Sequence, residues 1–388
     1  MQATGIIAEY NPFHNGHLYH LQKTKELKQQ PVIVVMSGSF MQRGEPAIIN
    51  KWQRAKLAVE NGAALVLELP CVFSLRSAEF FARSAVKMLI ATGCVNSLCC
   101  GTENPQTDFQ TLARHALSKP VQIELQNFLK QGLSYAASWQ KILADKAILN
   151  APNDILALEY TKALQNSKIQ PYYIQRQDTG YNSNIINGNK ASASAIRQAL
   201  AAGNSSWQQA VPKNTIDTLI NAKTDNYILW QLISYRLRLL TPAQIAECCE
   251  ASEGIEYLLK HSANCQTLTE AIASCTRKRY TNSRIRRLLL QLLFDKNKTF
   301  WKQTEPAYLR VLAFNNTGRM LLKKMKQTAS LPVVTKIGKN INFSETSCFT
   351  SQLDLDIAAT DIWSMLQPLS HFNRTGNDFY ISPIYLNN

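Results

Sequence analysis

No stretch of the 388-residue sequence approaches the ~18 uninterrupted apolar residues of a membrane span. The opening residues, MQATGIIAEYNPF, lack the basic segment and apolar run of a secretory leader. Nine cysteines are present but no CxxC, and two pairs are adjacent (Cys99–Cys100 and Cys248–Cys249). That pattern gives no disulfide framework and reads as reduced, mostly buried thiols of a soluble cytoplasmic protein. Internal repeats and low-complexity segments are absent as well. Acidic residues are scarce: 27 against 42 Lys and Arg, a formal charge of +15 and a pI near 9.4. Such an excess points to a polyanionic partner, nucleic acid or a phosphate-rich ligand, or else to a generally basic surface.

What is there alternates. The runs ATGIIAEY, PVIVVMSGS, ALVLELP and VNSLCCGTE read as buried strands, separated by the helical stretches GHLYHLQKTKELK, NKWQRAKLAVENGA and RSAEFFARSAVKMLIATG. APNDILALEYTKALQ is a further helix, KIQPYYIQRQ a fifth strand, and GNKASASAIRQALAAG a turn running into a helix. The fold class is therefore α/β, with a parallel Rossmann-like sheet covered on both faces, and ligands belong at the carboxyl ends of its strands. Loop-rich AAGNSSWQQAVPKNT suggests a boundary, giving domains 1–205 and 206–388. Beyond it the texture is mainly helical, including PAYLRVLAFNNTGRMLLKKMK.

The stretch EYNPFHNGHLYHL places His14, His17 and His20 at steps of three. Zinc is one reading, but residues at such steps turn progressively around a helix, and no second ligand cluster is evident. Packing alone is another, best suited to His20 beside Tyr19. The third reading is a phosphate site: Pro12 ends the strand, Gly16 permits a close turn, and a helix then begins with free N–H groups and two imidazoles.

HNGH at 14–17, after a strand and opening a helix, resembles the HxGH signature of the nucleotidyltransferase superfamily that also contains class I aminoacyl-tRNA synthetases. ASASAIR at 191–197 resembles that superfamily's ISSTxIR triphosphate-binding turn: Ser192, Ser194, Ile196 and Arg197 match, and Ala193 departs from a hydroxyl position. With SGSFMQRGEPAIINKWQRAKLA, PNDILALEY and RKRYTNSRIRRLLL, most of the chain is similar to the tRNA(Met) cytidine acetate ligase family. The resemblance implies an ATP-dependent enzyme that activates acetate as acetyl-adenylate and acetylates N4 of the wobble cytidine (C34) of elongator tRNA(Met). The products are N4-acetylcytidine, AMP and diphosphate.

On that reading His14 and His17 are catalytic, stabilising charge at the α-phosphate. Ile7, Ala8, Glu9, Tyr10, Asn11, Pro12, Phe13, His14, Asn15, Gly16, His17, Leu18, Tyr19 and His20 would wall the ATP, with Gly101, Asn153, Arg176, Ser194 and Arg197. Taken without the resemblance, Gly101 is a turn glycine, Asn153 a helix cap and Arg176 a surface charge. Magnesium is expected with the triphosphate, and no protein-bound metal site is expected. Acetate is already a nucleophile at neutral pH, whereas the delocalised lone pair of cytosine N4 attacks poorly, so activation by ATP is chemically consistent.

RKRYTNSRIRRLLLQLLF supplies Arg277, Lys278, Arg279, Arg284 and Arg287 as tRNA-binding candidates, with Arg284 and Arg287 on one helix face opposite a leucine stripe. A solvated basic face is the alternative. Tyr280, Phe300 and Trp301 read as core, with stacking on a splayed anticodon base as the alternative, and Lys51 and Arg54 of NKWQRAK read as a solvated helix face. Loop SGSFMQRGEP reads as pocket lining or a simple lid. Two other functions stay open: adenylation of a small carboxylate for a non-tRNA acceptor, and a non-catalytic RNA-binding protein.

Overall fold

The computed structural model describes residues 1–133, 135–143, 151–177, 186–251, 254–303, 305–338, 341–344, 347–368 and 374–387. Five strands, β1 (Ala3–Ala8), β2 (Val32–Ser37), β3 (Leu65–Leu69), β4 (Val95–Thr102) and β5 (Gln170–Gln175), pair in parallel in the order β5-β4-β1-β2-β3. The Val, Ile and Leu runs make them: β2 and β3 are buried along their whole length, as a sheet covered by helices on both faces requires. The chain runs β1, β2, β3 to one side and then crosses to place β4 against the other edge of β1. The carboxyl ends of β1 and β4 thus flank a topological switch point.

The sheet does not end there. LRVLAFN, within the stretch whose texture suggested helix, is strand β6 (Leu309–Asn315), antiparallel to β3. Beside it lie β7 (Val333–Val334) and β8 (Ile384–Leu386). The correction has a physical cause: an apolar run of this length is ambiguous in isolation, and the open edge of β3 selects the extended form. Asn315 then caps the helix Asn316–Thr328, its Oδ1 accepting from the Gly318 N–H at 3.0 Å. Helices dominate between these strands, from Asn226–Leu239 to Asn282–Gln291 and Lys298–Trp301. Past residue 205, Trp207, Ala210, Val211 and Leu219 share a core with Tyr10, Phe13 and Ile196, so that packing continues across the loop-rich stretch. Tyr280 and Trp301 are core residues, as their sequence setting suggested, and Phe300 packs against them.

Two charged residues are placed otherwise than a solvated face would have them. Lys51 is 1% exposed and its Nζ lies 2.7 Å from both Glu68 Oε1 and Asp378 Oδ1. Arg310 completes the cluster against Asp378 and Glu68. Arg54 is fully buried and donates to the carbonyls of Glu9 (2.7 Å), Ser37 (3.0 Å) and Gly38. It ties together the ends of β1 and β2, where carbonyls have no strand partner left. Burying long cations requires acceptors for their donors: Lys51 meets two carboxylates, and Arg54 also donates from Nε to the Ile49 carbonyl at 3.3 Å.

Candidate active site

β1 delivers the chain into a tight turn in which Tyr10 takes φ +49°, uncommon for a residue with a side chain. Its ring is buried, packed edge-on against Phe13 at 4.8 Å and His17 at 4.9 Å. The helix Asn15–Lys28 follows, and histidines build its cap. Nδ1 of His14 accepts from the Gly16 N–H at 3.0 Å, while Nδ1 of His17 accepts from the His14 N–H at 3.3 Å. This is a capping box made of two imidazoles in place of the usual hydroxyl and carboxamide. An Nδ1 that accepts carries no proton, so in the neutral ring the hydrogen sits on Nε2. The rings stack at 3.7 Å between centroids. Burial first, then the neighbouring charge of His14, Arg176 and His20, holds His17 well below its ordinary pKa and keeps it neutral. The motif therefore offers fixed N–H donors.

These residues open onto a cavity of about 960 Å³, at the upper end of the range for small-ligand sites. Ile7, Ala8, Glu9, Tyr10, Asn11, His14, Gly16, His17, Tyr19 and His20 line it. Pro12, Phe13, Asn15 and Leu18 are not on its wall. Phe13 is core, and Asn15 Nδ2 fastens the helix start to the Asn189 and Gln209 carbonyls at 3.0 and 2.9 Å. Gly101 and Arg176 meet at the ends of β4 and β5, and a Cβ on Gly101 would lie 3.3 Å from the Arg176 stem. Asn153 Nδ2 donates to Glu103 Oε1 at 2.6 Å, and Arg176 Nε lies 3.7 Å from the same oxygen. Burial raises the Glu103 pKa, against the pull of Asn153 and Arg176.

The ASASAIR turn forms another part of the wall. Ser192 caps the helix Ala193–Ala201, its hydroxyl accepting from the Ala195 N–H at 3.1 Å, and Ser194 lies on the cavity wall. Arg197 Nη1 donates to the Asn11 carbonyl at 2.7 Å, and its Nη2 pairs with Glu45. Glu45 also faces Arg286 at 3.6 Å.

Loop 37–46 is part of the wall through Met41, Gln42, Arg43 and Glu45. At Gly44 (φ +73°) a Cβ would fall 2.5–2.7 Å from the backbone and Cβ of Arg286 and from the Arg287 nitrogen, so the loop is pressed against the helix Asn282–Gln291. Through this contact Arg279, Arg284 and Arg287 reach the same cavity. Arg287 donates to the Gln42 carbonyl at 3.1 Å. Arg277 and Lys278 lie off it, and Arg277 is spent on the Ser274 and Thr276 carbonyls at 3.0 and 2.7 Å. No group of three or more His, Cys, Asp or Glu able to hold a metal occurs among the described residues.

A family model described as HIGH Nucleotidyl Transferase matches residues 1–378. The tRNA(Met) cytidine acetate ligase of Alkaliphilus metalliredigens is 36% identical over 422 aligned positions, covering 99% of each chain. The ligase of Clostridium acetobutylicum is 38% identical, over 96% of this chain and 99% of its own. The chain belongs to the tRNA(Met) cytidine acetate ligase family. In structure it superposes on Thermotoga maritima TmcAL bound with alpha-thio ATP at a TM-score of 0.89, with 32% identity and full coverage of both chains. The apo form of TmcAL gives the same TM-score at 31% identity.

Several cavity residues of this family member have no local signature. Gln42 is one: its N–H donates to Glu9 Oε1 at 2.6 Å and its Nε2 to the Arg76 carbonyl at 3.0 Å. Glu250 and Gln291 are others, brought to the wall from the helical region. No helix among the described residues is long and apolar enough to cross a membrane.

Proposed function

We propose that this chain is a cytoplasmic ATP-dependent ligase that forms acetyl-adenylate and passes the acetyl group to N4 of the wobble cytidine (C34) of elongator tRNA(Met). The observation that carries the reading is one shared cavity. The capped histidine pair of HNGH and the arginines of the basic helix Asn282–Gln291 line the same space. Residues 1–205 would supply most of the nucleotide site and the basic part of 206–388 the RNA face.

In the first step an acetate oxygen attacks the α-phosphorus and the bond to diphosphate breaks. No base is required. What the step needs is charge stabilisation on the phosphate oxygens, from Nε2–H of His14 and His17 and from Arg197. Ser194, Asn153, Arg176 and the Gly101 backbone hold the rest of the nucleotide. Glu9, Glu45 and Glu103 stand singly on the wall, each engaged by a neighbour. Such a donor set suits a magnesium ion bound chiefly by phosphate oxygens, which would neutralise the triphosphate. In the second step N4 attacks the acetyl carbon, the bond to the phosphate oxygen breaks so that AMP leaves, and N4 loses one proton to solvent. Arg279, Arg284 and Arg287 would meet the RNA backbone near the target base.

The test is incubation with ATP, magnesium, isotope-labelled acetate and unmodified bulk tRNA, followed by nucleoside mass spectrometry. Labelled N4-acetylcytidine that depends on ATP is the expected product. Acetate-dependent diphosphate release without labelled nucleoside would move the acceptor to another molecule. Absence of both would refute the adenylating role.

A further inference from the structure

The wall contributed by the helical region is not uniformly basic. Arg76, 2% exposed, stacks on Phe80 at 3.4 Å and donates from Nε and Nη2 to Glu250 Oε1, at 3.1 and 2.8 Å. Its Nη1 is held by the Gln303 carbonyl at 2.8 Å. Gln291, 1% exposed, donates to Glu250 Oε2 at 3.3 Å and to the Leu75 carbonyl at 2.9 Å, and accepts from the Glu250 N–H at 3.0 Å. Both carboxylate oxygens are thus fixed from behind, yet the side chain keeps 30% of its surface and lies on the cavity wall beside Arg284, Arg287 and Leu288. Gln42 places it close to the nucleotide end, bonding to Glu9 on one side and to Arg76 and Arg287 on the other.

An anionic group is out of place on a wall that receives a polyanion, unless it reads something other than phosphate. A carboxylate only accepts hydrogen bonds, and two oxygens offer about four lone-pair sites. Arg76 occupies two on Oε1 and Gln291 one on Oε2, which leaves Oε2 with capacity toward the cavity. The matching ligand is a neutral donor. Resting on the acceptor reading above, we propose that Glu250 is the specificity-determining residue that accepts a hydrogen bond from the exocyclic amine of the target cytidine. Carboxylates pair with cytosine N4 in just this sense. Uracil presents a carbonyl oxygen at the same position and is repelled, so selection for cytidine is built in before any acetyl transfer.

The experiment uses full-length protein and two transcripts of elongator tRNA(Met) that differ only in C34 or U34. Wild-type enzyme is first shown to make N4-acetylcytidine on the C34 transcript; if it does not, the acceptor reading fails and the proposal with it. Binding of both transcripts is then measured for wild type, Glu250→Gln and Glu250→Ala. Wild type should prefer C34 by about tenfold to a hundredfold. Glu250→Gln offers a donor to uracil O4, so the ratio should fall to about one or invert, and Glu250→Ala should bring it near one. A role only in packing would weaken both transcripts alike and preserve the ratio. Retention of the full C34 preference in both variants would overturn the assignment and leave the acetylation reading standing.

Discussion

The histidine cap separates two effects that a simple truncation would merge. His17 occupies the third helical position, where its Nδ1 accepts the His14 N–H and closes the cap. Glutamine is a natural residue at that position of a capping box and can restore the reciprocal bond. Alanine cannot. His17→Ala should therefore lose about 1 kcal/mol of stability with the cap, and His17→Gln less than about half of that. Both remove an imidazole donor aimed at developing phosphate charge, a loss of about 10²–10³ in kcat by analogy with a single oxyanion-hole donor. Acetate-dependent ATP–diphosphate exchange reads the catalytic part and urea unfolding the structural part. Because burial keeps His17 neutral, wild-type exchange should carry no ionisation limb from this residue between pH 6 and 9. Exchange by His17→Gln within tenfold of wild type would refute the donor assignment, as would a limb near pH 6.5 that vanished in that variant.

Two further expectations concern buried charge and pH. Lys51→Met leaves Glu68 and Asp378 to share Arg310, and loss of one member of a fully buried cluster costs about 3–5 kcal/mol; a shift below ~1 kcal/mol in urea unfolding would show the cluster is hydrated in solution. His20 has a buried Nε2 without a hydrogen-bond partner, and burial, with Arg176 nearby, lowers its pKa to about 4. The unfolded chain then binds the proton first, so this group's stabilisation is present above pH ~6.5 and is lost as pH falls toward 4, by about 2 kcal/mol between 6.5 and 5. His20→Gln should flatten that stretch of the stability profile, and an identical slope in both proteins would contradict the burial.

Legibility followed the range of the interactions. The central parallel strands could be read because near-continuous Val, Ile and Leu runs carry their own signal, as β2 (VIVVMS) and β3 (LVLEL) show. HNGH could be read because its geometry is local, a cap closed between residues three apart. β6 could not: LRVLAF fits a helix until the edge of β3, distant in sequence, is available to pair with it. Lys51 and Arg54 look solvated on a helical wheel, and only Glu68, Asp378 and the carbonyl ends of β1 and β2 make their burial possible. Glu250 and Gln291 follow the same rule. Nothing near AECCEA announces a cavity, because Arg76 and the helix Asn282–Gln291 create it.

The excess of +15 divides along the same lines. Lys51, Arg54 and Arg310 are satisfied inside the fold and contribute nothing to a polyanion's approach. Arg176 and Arg197 differ. Each faces a glutamate on the cavity wall, Glu103 and Glu45, with both partners about a fifth to a quarter exposed. Ion pairs in that setting are worth about 0–1 kcal/mol, because water competes for both members. Exchanging such a carboxylate for a phosphate is therefore easy, whereas the buried cluster around Lys51 resists any exchange. A charge count on the sequence treats these cations alike. Their partners divide them into a scaffold that keeps its anions and a wall that can release them, and only the second group bears on what the cavity binds.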